Sequence, residues 1–122
     1  MVAAFIAQAL RDGTLRVHGN GSQTRDFIHV ADVVEALWRL GRPEAESGTW
    51  NVAAGRRVTI SGLANVVERA FGRPLGRAHA PRRAGDVMDS AISAARLQGL
   101  GWRPTIGLSA GVTSLVRAAL RG

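Results

Sequence analysis

Amphipathic stretches of about ten residues, set between short β-like runs, limit this chain to a mixed α/β architecture. Val2, Phe5, Ile6, Ala9 and Leu10 recur at helical spacing, and Gly13 stands where a C-terminal cap belongs. A second helix is predicted from near Asp32 to Gly41, with Glu35 as a capping-box partner. A third sets Leu63, Val66, Val67, Ala70 and Phe71 on one face and stops at Gly72, ahead of Pro74. A fourth spans Ser109 to Leu120, and a shorter one covers Ser93 to Gln98. Strands are expected at Leu15–His18, Phe27–Val30, Thr49–Ala53 and Leu75–His79, with Gly19-Asn20-Gly21-Ser22 as a turn. At 122 residues the chain accommodates one domain, residues 1–122, of α/β or α+β class with four to five helices.

Composition removes much chemistry. There is no cysteine, tyrosine or lysine, so disulfides, thiolate metal sites, Schiff bases and phenolic acid/base catalysis are excluded within these residues. All sixteen cationic side chains are arginine, against nine carboxylates, for a net charge of +7. That balance favours anionic partners. The arginines are scattered singly or in pairs, and six aromatics give little for stacking on bases, which disfavours nucleic acid. Met1 to Leu10 is apolar but brief, lacks a basic leader and contains Gln8; it reads as neither a signal peptide nor a membrane span, and a cytoplasmic setting is expected.

His18, His29 and His79 lie far apart without metal-ligand spacing, so no metal site is expected. Gly19-x-Gly21 lacks a third glycine and opens onto a polar turn rather than a helix, unlike a dinucleotide fingerprint. Two arginine clusters remain. Gly21-Ser22-Gln23-Thr24-Arg25-Asp26 puts a guanidinium on a turn before an apolar run, and Arg82-Arg83-Ala84-Gly85-Asp86 follows forked donors with a glycine and a carboxylate. Guanidinium pairs suit phosphate oxygens, and an aspartate accepts from ribose hydroxyls. The same residues also permit ordinary loop ion pairs, Arg25 with Asp26 and Arg83 with Asp86.

The segment from Val17 to Val34, with its Gly19-Asn20-Gly21-Ser22-Gln23-Thr24-Arg25-Asp26-Phe27-Ile28-His29-Val30 core, resembles the signature of extended short-chain dehydrogenase/reductases of the NAD-dependent epimerase/dehydratase family, closest to the UDP-glucose 4-epimerase group. Trp50-Asn51-Val52, Arg83-Ala84-Gly85-Asp86 and Leu100-Gly101-Trp102-Arg103-Pro104 follow in the family's order, so the resemblance runs from Val2 to about Leu120. It implies the small carboxy-terminal, nucleotide-sugar-binding part of such an enzyme, lacking the Rossmann half. NAD is implied for the intact family enzyme, held by a glycine-rich turn and a Tyr-x-x-x-Lys pair that would lie upstream of Met1, and none is expected to bind this chain alone. Arg25 and Arg83 match the arginines on the substrate diphosphate, Asp86 the acid on the ribose, and Arg16-Val17-His18 the strand whose backbone meets the base. Asn51, Trp102 and the Val33–Val34 helix read as structural. Ala4 stands where the family commonly has proline, and Ala91-Ile92-Ser93-Ala94 lacks the usual Asp and Lys.

The resemblance implies binding of a nucleotide sugar, most simply a UDP-sugar, as part of an epimerase or dehydratase not competent for catalysis alone. A Rossmann-half partner chain or self-association would cover the surface left open. The alternative is a stand-alone nucleotide-sugar-binding or protein-interaction module without catalysis.

Overall fold

A computed structural model describes residues 1–122. The elements are α1 (Val2–Arg11), β1 (Thr14–His18), β2 (Thr24–Arg25), α2 (Val30–Leu40), β3 (Val58–Thr59), α3 (Ile60–Phe71), β4 (Gly76–Ala80), α4 (Ala95–Gln98) and α5 (Leu108–Arg121). β1 and β4 pair in parallel, Thr14 opposite Gly76 through His18 opposite Ala80, and β2 pairs antiparallel with β3. A parallel pair requires a crossover, here supplied by everything from β2 to α3.

The apolar periodicities resolve into one main core. Phe5, Ile6 and Ala9 of α1, Leu15 and Val17 of β1, Ile60, Leu63, Ala64 and Val67 of α3, Leu75, and Val112 and Val116 of α5 pack together. A smaller cluster gathers Ala36, Ala53, Ala94 and Leu97 around the fully buried Trp102. Asp32, itself buried, locks the segment after Trp102 onto α2: it accepts from Thr105 N at 2.9 Å, Thr105 Oγ1 at 2.9 Å and Ile106 N at 3.1 Å, while Trp102 Nε1 donates to its carbonyl at 3.0 Å.

Several boundaries differ from the sequence expectation. α2 starts at Val30, capped by His29, whose Nδ1 accepts from Ala31 N at 3.1 Å; Asp32 lies inside the first turn, and Glu35 pairs with Arg39 instead of closing a capping box. Phe27–Val30 is not a strand; pairing ends at Arg25, and the chain turns into the helix. Thr49–Ala53 is not a strand either. Its Trp50 donates to Glu46 O at 3.1 Å and stacks beneath the Arg96 guanidinium, fixing the segment as a packed loop.

The turn after β1 is docked onto the start of α3. Ile60 N donates to Gln23 O and Ser61 N to Gly21 O, both at 3.0 Å, and Gly62 N donates to Thr59 Oγ1 at 2.9 Å. Gly21 adopts φ +79°, and a Cβ there would collide with Ser61 Oγ. Gly21→Ala is therefore expected to lose about 2 kcal/mol in chemical denaturation, the left-handed backbone alone contributing about 1–2 kcal/mol. Adding Ser61→Ala should recover the steric part but not the backbone part.

Candidate functional site

β1 has a strand on one side only. Gly13 O and Gly19 N, just outside it, bond to Gly76 and Ala80, so by the alternation of a parallel ladder the odd-numbered residues face β4. The backbone of Arg16 and His18 faces the open edge. Two glutamines hold that edge: Arg16 N donates to Gln8 Oε1 and Gln23 Nε2 donates to His18 O, both at 2.8 Å.

Along this edge runs a cleft of about 210 Å³. Met1, Ala4, Phe5 and Gln8 of the α1 region form one wall, Arg16, His18, Gln23 and Ile60 the floor, and Arg25, Arg83 and Asp86 the far side. Five of the six residues singled out in the sequence, Arg16, His18, Arg25, Arg83 and Asp86, thus converge from three separate segments. Val17 does not. It is buried in the main core with its backbone turned to β4, because side chains and peptide groups alternate along a strand.

The ion pairs are not those between sequence neighbours. Arg25 Nη2 donates to Asp86 Oδ1 at 2.5 Å, and Arg25 Nη1 donates to Thr24 O and Val87 O, each at 2.6 Å. Asp26 instead accepts from Gly55 N at 2.8 Å. The strap from Arg82 to Ser90 is further stitched to β2: Thr24 N donates to Met88 O at 2.7 Å, Ser90 N to Thr24 O at 3.3 Å, and Thr24 Oγ1 to Asp89 Oδ1 at 2.7 Å. Arg82 Nη2 donates to Asp86 O at 2.7 Å. Arg83 differs from all of these: its guanidinium is exposed at the cleft and has no partner in the chain.

Arg16 reaches the cleft paired with Asp12 at 2.8 Å. The Arg16 hydrogen bond, with that from Thr14 N, draws the Asp12 pKa down to about 2. His18 Nδ1 donates to Pro81 O at 3.3 Å and His79 Nδ1 to Gly19 O at 2.9 Å, tying the ends of β1 and β4 together. Neither histidine joins a group of His, Asp or Glu able to hold a metal. Sequence reasoning passes over Gln8 and Gln23: Gln8 falls on the polar side of a helix read for its apolar face, and Gln23 registers only as one polar group of a turn.

The turn after β1 does not form a pyrophosphate cradle of the dinucleotide-fingerprint kind. The Gly-x-Gly after β1 leads into α3 only through a long crossover, and the first amides of α3 are already taken by Gln23, Gly21 and Thr59. No donors remain there for a pyrophosphate, and Ser61 fills the space above Gly21. A second groove of about 520 Å³ between α1, the Asp26–Val30 segment and α5 is lined mainly by aliphatic side chains, with Asp26 Oδ1 buried and unpartnered at its base. It contains no arginine.

An open-edged strand, an arginine-bearing strap and a Gln-Thr-Arg-Asp-Phe turn into a helix thus meet at one cleft. Residues 1–53 match the NAD dependent epimerase/dehydratase family, and the chain belongs to that family of extended short-chain dehydrogenase/reductases. It is similar to the UDP-glucose 4-epimerase of Mycolicibacterium smegmatis, 34% identical over 94% of this chain and 37% of that protein. It is also similar to UDP-glucuronic acid decarboxylase 4 of Arabidopsis thaliana, 33% identical over 96% of this chain and 26% of that one. Among solved structures, a UDP-glucose 4-epimerase of Thermotoga maritima with UDP-glucose superposes with a TM-score of 0.90, at 28% identity, over 98% of this chain and 39% of that chain. The chain therefore spans well under half the length of each of these relatives. No helix is long and apolar enough to cross a membrane.

Proposed function

We propose that this chain is the nucleotide-sugar-binding portion of an NAD-dependent epimerase or dehydratase, and that it does not turn over substrate by itself. One observation carries the reading: segments distant in sequence bring Arg16, His18, Arg25, Arg83 and Asp86 to one cleft, where Arg83 alone offers an uncommitted guanidinium. A planar fork of donors suits a diphosphate. Asp86 keeps its Oδ2 for a ribose hydroxyl while Oδ1 holds Arg25. At about 210 Å³ the cleft is smaller than the usual range of ligand pockets, roughly 300–1,000 Å³, which fits a site whose remaining wall comes from elsewhere. The cofactor half, with NAD and the catalytic tyrosine and lysine, would supply that wall and the hydride chemistry. This portion contributes uniform binding of the nucleotide diphosphate, which positions the sugar without accelerating the chemical step.

Calorimetric titration with UDP-glucose, UDP and NAD tests this. UDP and UDP-glucose are expected to bind and NAD not to, with salt-sensitive affinity. Arg83→Ala should weaken UDP about tenfold, about 1.4 kcal/mol, without altering thermal stability, since no internal contact is lost. Binding of NAD, or unchanged affinity in Arg83→Ala, would overturn the reading.

The second reading, an interaction module without catalysis, rests on α2. Val30, Val34, Leu37 and Trp38 recur along its outer face and are 69%, 58%, 62% and 66% exposed. Such a stripe suits a covering partner, either the cofactor half or a second copy. Self-association without any nucleotide binding would favour this reading.

A further inference from the structure

The arginine cleft occupies one edge of the β1–β4 pair, and the opposite edge, that of β4, is open as well. Gly76 N donates to Gly13 O and Ala80 O accepts from Gly19 N, so the even-numbered residues of β4 turn their peptide groups to β1. The peptide groups of Arg77 and His79 turn outward, where they meet no partner. This window is bounded at both ends. Leu75 N donates to Glu68 Oε2 at 2.8 Å and Leu75 O accepts from Arg77 Nη1 at 3.0 Å, which closes one end, and Pro81 has no N–H at the other. The side chains sort by face. Gly76, Ala78 and Ala80 share one face, on which nothing larger than a methyl group stands above β4, and Gly76 and Ala78 are exposed. Arg77 and His79 share the other, beside α3, where Arg77 reaches Glu68 Oε2 at 3.4 Å and Asn65 Oδ1 at 3.2 Å.

We propose that the outer edge of β4 is a docking site for an extended acidic peptide, which adds as a strand beside Arg77 and His79. This is independent of the nucleotide-sugar reading of the cleft. A strand laid against β4 satisfies the N–H and C=O of both residues, the main-chain pairing by which open edges capture peptides. Charge selects the occupant. The chain carries +7, Arg77 stands within the window, and Arg73 and Arg82 flank it in sequence. Glu68, the carboxylate that reaches the strand from α3, is already engaged by Leu75 N and Arg77. A second copy would bring another +7 and a second Arg77 to the same edge, so like charge opposes self-pairing, whereas a carboxylate opposite Arg77 is favoured. The two faces of β4 set the pattern of the partner. Its residue opposite Ala78 covers a surface of glycine and alanine and suits a β-branched or aromatic side chain, and the residue opposite Arg77 suits glutamate or aspartate. The occupant is therefore a segment in which acidic and apolar residues alternate.

The test is fluorescence anisotropy of a short labelled peptide of alternating glutamate and valine, titrated with the full chain. An alternating lysine and valine peptide, and the glutamate peptide with N-methyl groups on its amides, serve as comparisons. His79→Pro removes an outward N–H and leaves the ladder to β1, as proline on a sheet edge allows, whereas His79→Ala keeps that N–H. The glutamate peptide is expected to bind wild type and His79→Ala alike, about tenfold or more tighter than either comparison peptide, and about tenfold more weakly to His79→Pro. The N-methylated peptide asks the same question with the protein unchanged, so the test does not depend on His79→Pro folding. Equal binding of the N-methylated or the lysine peptide, or equal affinity of His79→Pro and His79→Ala, overturns the proposal. Loss of peptide binding in Arg83→Ala would move the peptide to the arginine cleft, and self-association abolished by His79→Pro would give the edge to a second copy. Either result overturns the acidic-peptide assignment.

Discussion

Replacing Asp32 by alanine is expected to destabilise the chain by about 3–4 kcal/mol, a large part of the roughly 5–15 kcal/mol that holds a domain of this size. The carboxylate is 3% exposed and accepts three hydrogen bonds from Thr105 and Ile106. Removing it strands two amide donors and loosens the segment beside Trp102, the largest buried side chain. Asp32→Asn is no rescue, since the new NH₂ group would face one of those amides. Burial raises the Asp32 pKa, but the bonds from Thr105 and Ile106 and the nearby His29 outweigh it, and the net shift is downward. A carboxyl with a lowered native pKa gives stability that is complete above its unfolded value, about 3.9, and lost as pH falls toward the native value. Urea denaturation between pH 7 and pH 3 should therefore show an acid-side loss in the wild type that is smaller in Asp32→Asn. An Asp32→Ala variant within about 1 kcal/mol of wild type would refute the clamp.

That clamp also marks the limit of what the sequence reveals. The helices are legible because apolar spacing and glycine stops act locally, as at α3, which ends at Gly72 with φ +68°. Asp32 reads as a helix cap because aspartate before an apolar run usually is one. Its real partners lie 73 and 74 residues away, and His29 does the capping. β2 and β3 are two residues each, too short for any period to register. Thr49–Ala53 has strand composition, but Trp50 finds better partners in Glu46 and Arg96 than in a ladder. The arginine cluster is legible as chemistry, whereas its pairing is not. Neighbours in sequence suggest Arg25 with Asp26 and Arg83 with Asp86, but topology brings the strap across β2 and hands Asp86 to Arg25. That exchange frees Arg83. The two glutamines escape notice because a carboxamide shows its value only when the fold fixes which end is used.

Arg25→Ala is expected to abolish measurable nucleotide-sugar binding, a loss of about a hundredfold or more, while Arg83→Ala loses about tenfold. The two arginines sit in one cleft but act differently. Arg83 is free to meet a ligand directly, whereas Arg25 is spoken for by Asp86, Thr24 O and Val87 O. Its pair with Asp86 is largely shielded, with side chains 26% and 21% exposed, so truncation leaves a carboxylate with little water to replace the lost charge. The strap should then detach locally, taking Arg83 and Asp86 out of register with β1. Hydrogen exchange separates the two roles. In Arg25→Ala the Thr24 and Ser90 amides, bonded to Met88 O and Thr24 O, should lose protection while those of the α3 interior keep it. In Arg83→Ala all of them should keep it. Arg25→Lys retains the charge but cannot reach a carboxylate and two carbonyls with one planar fork, so it should restore little of the binding. Protected strap amides in Arg25→Ala together with lost binding would instead give Arg25 a direct ligand contact.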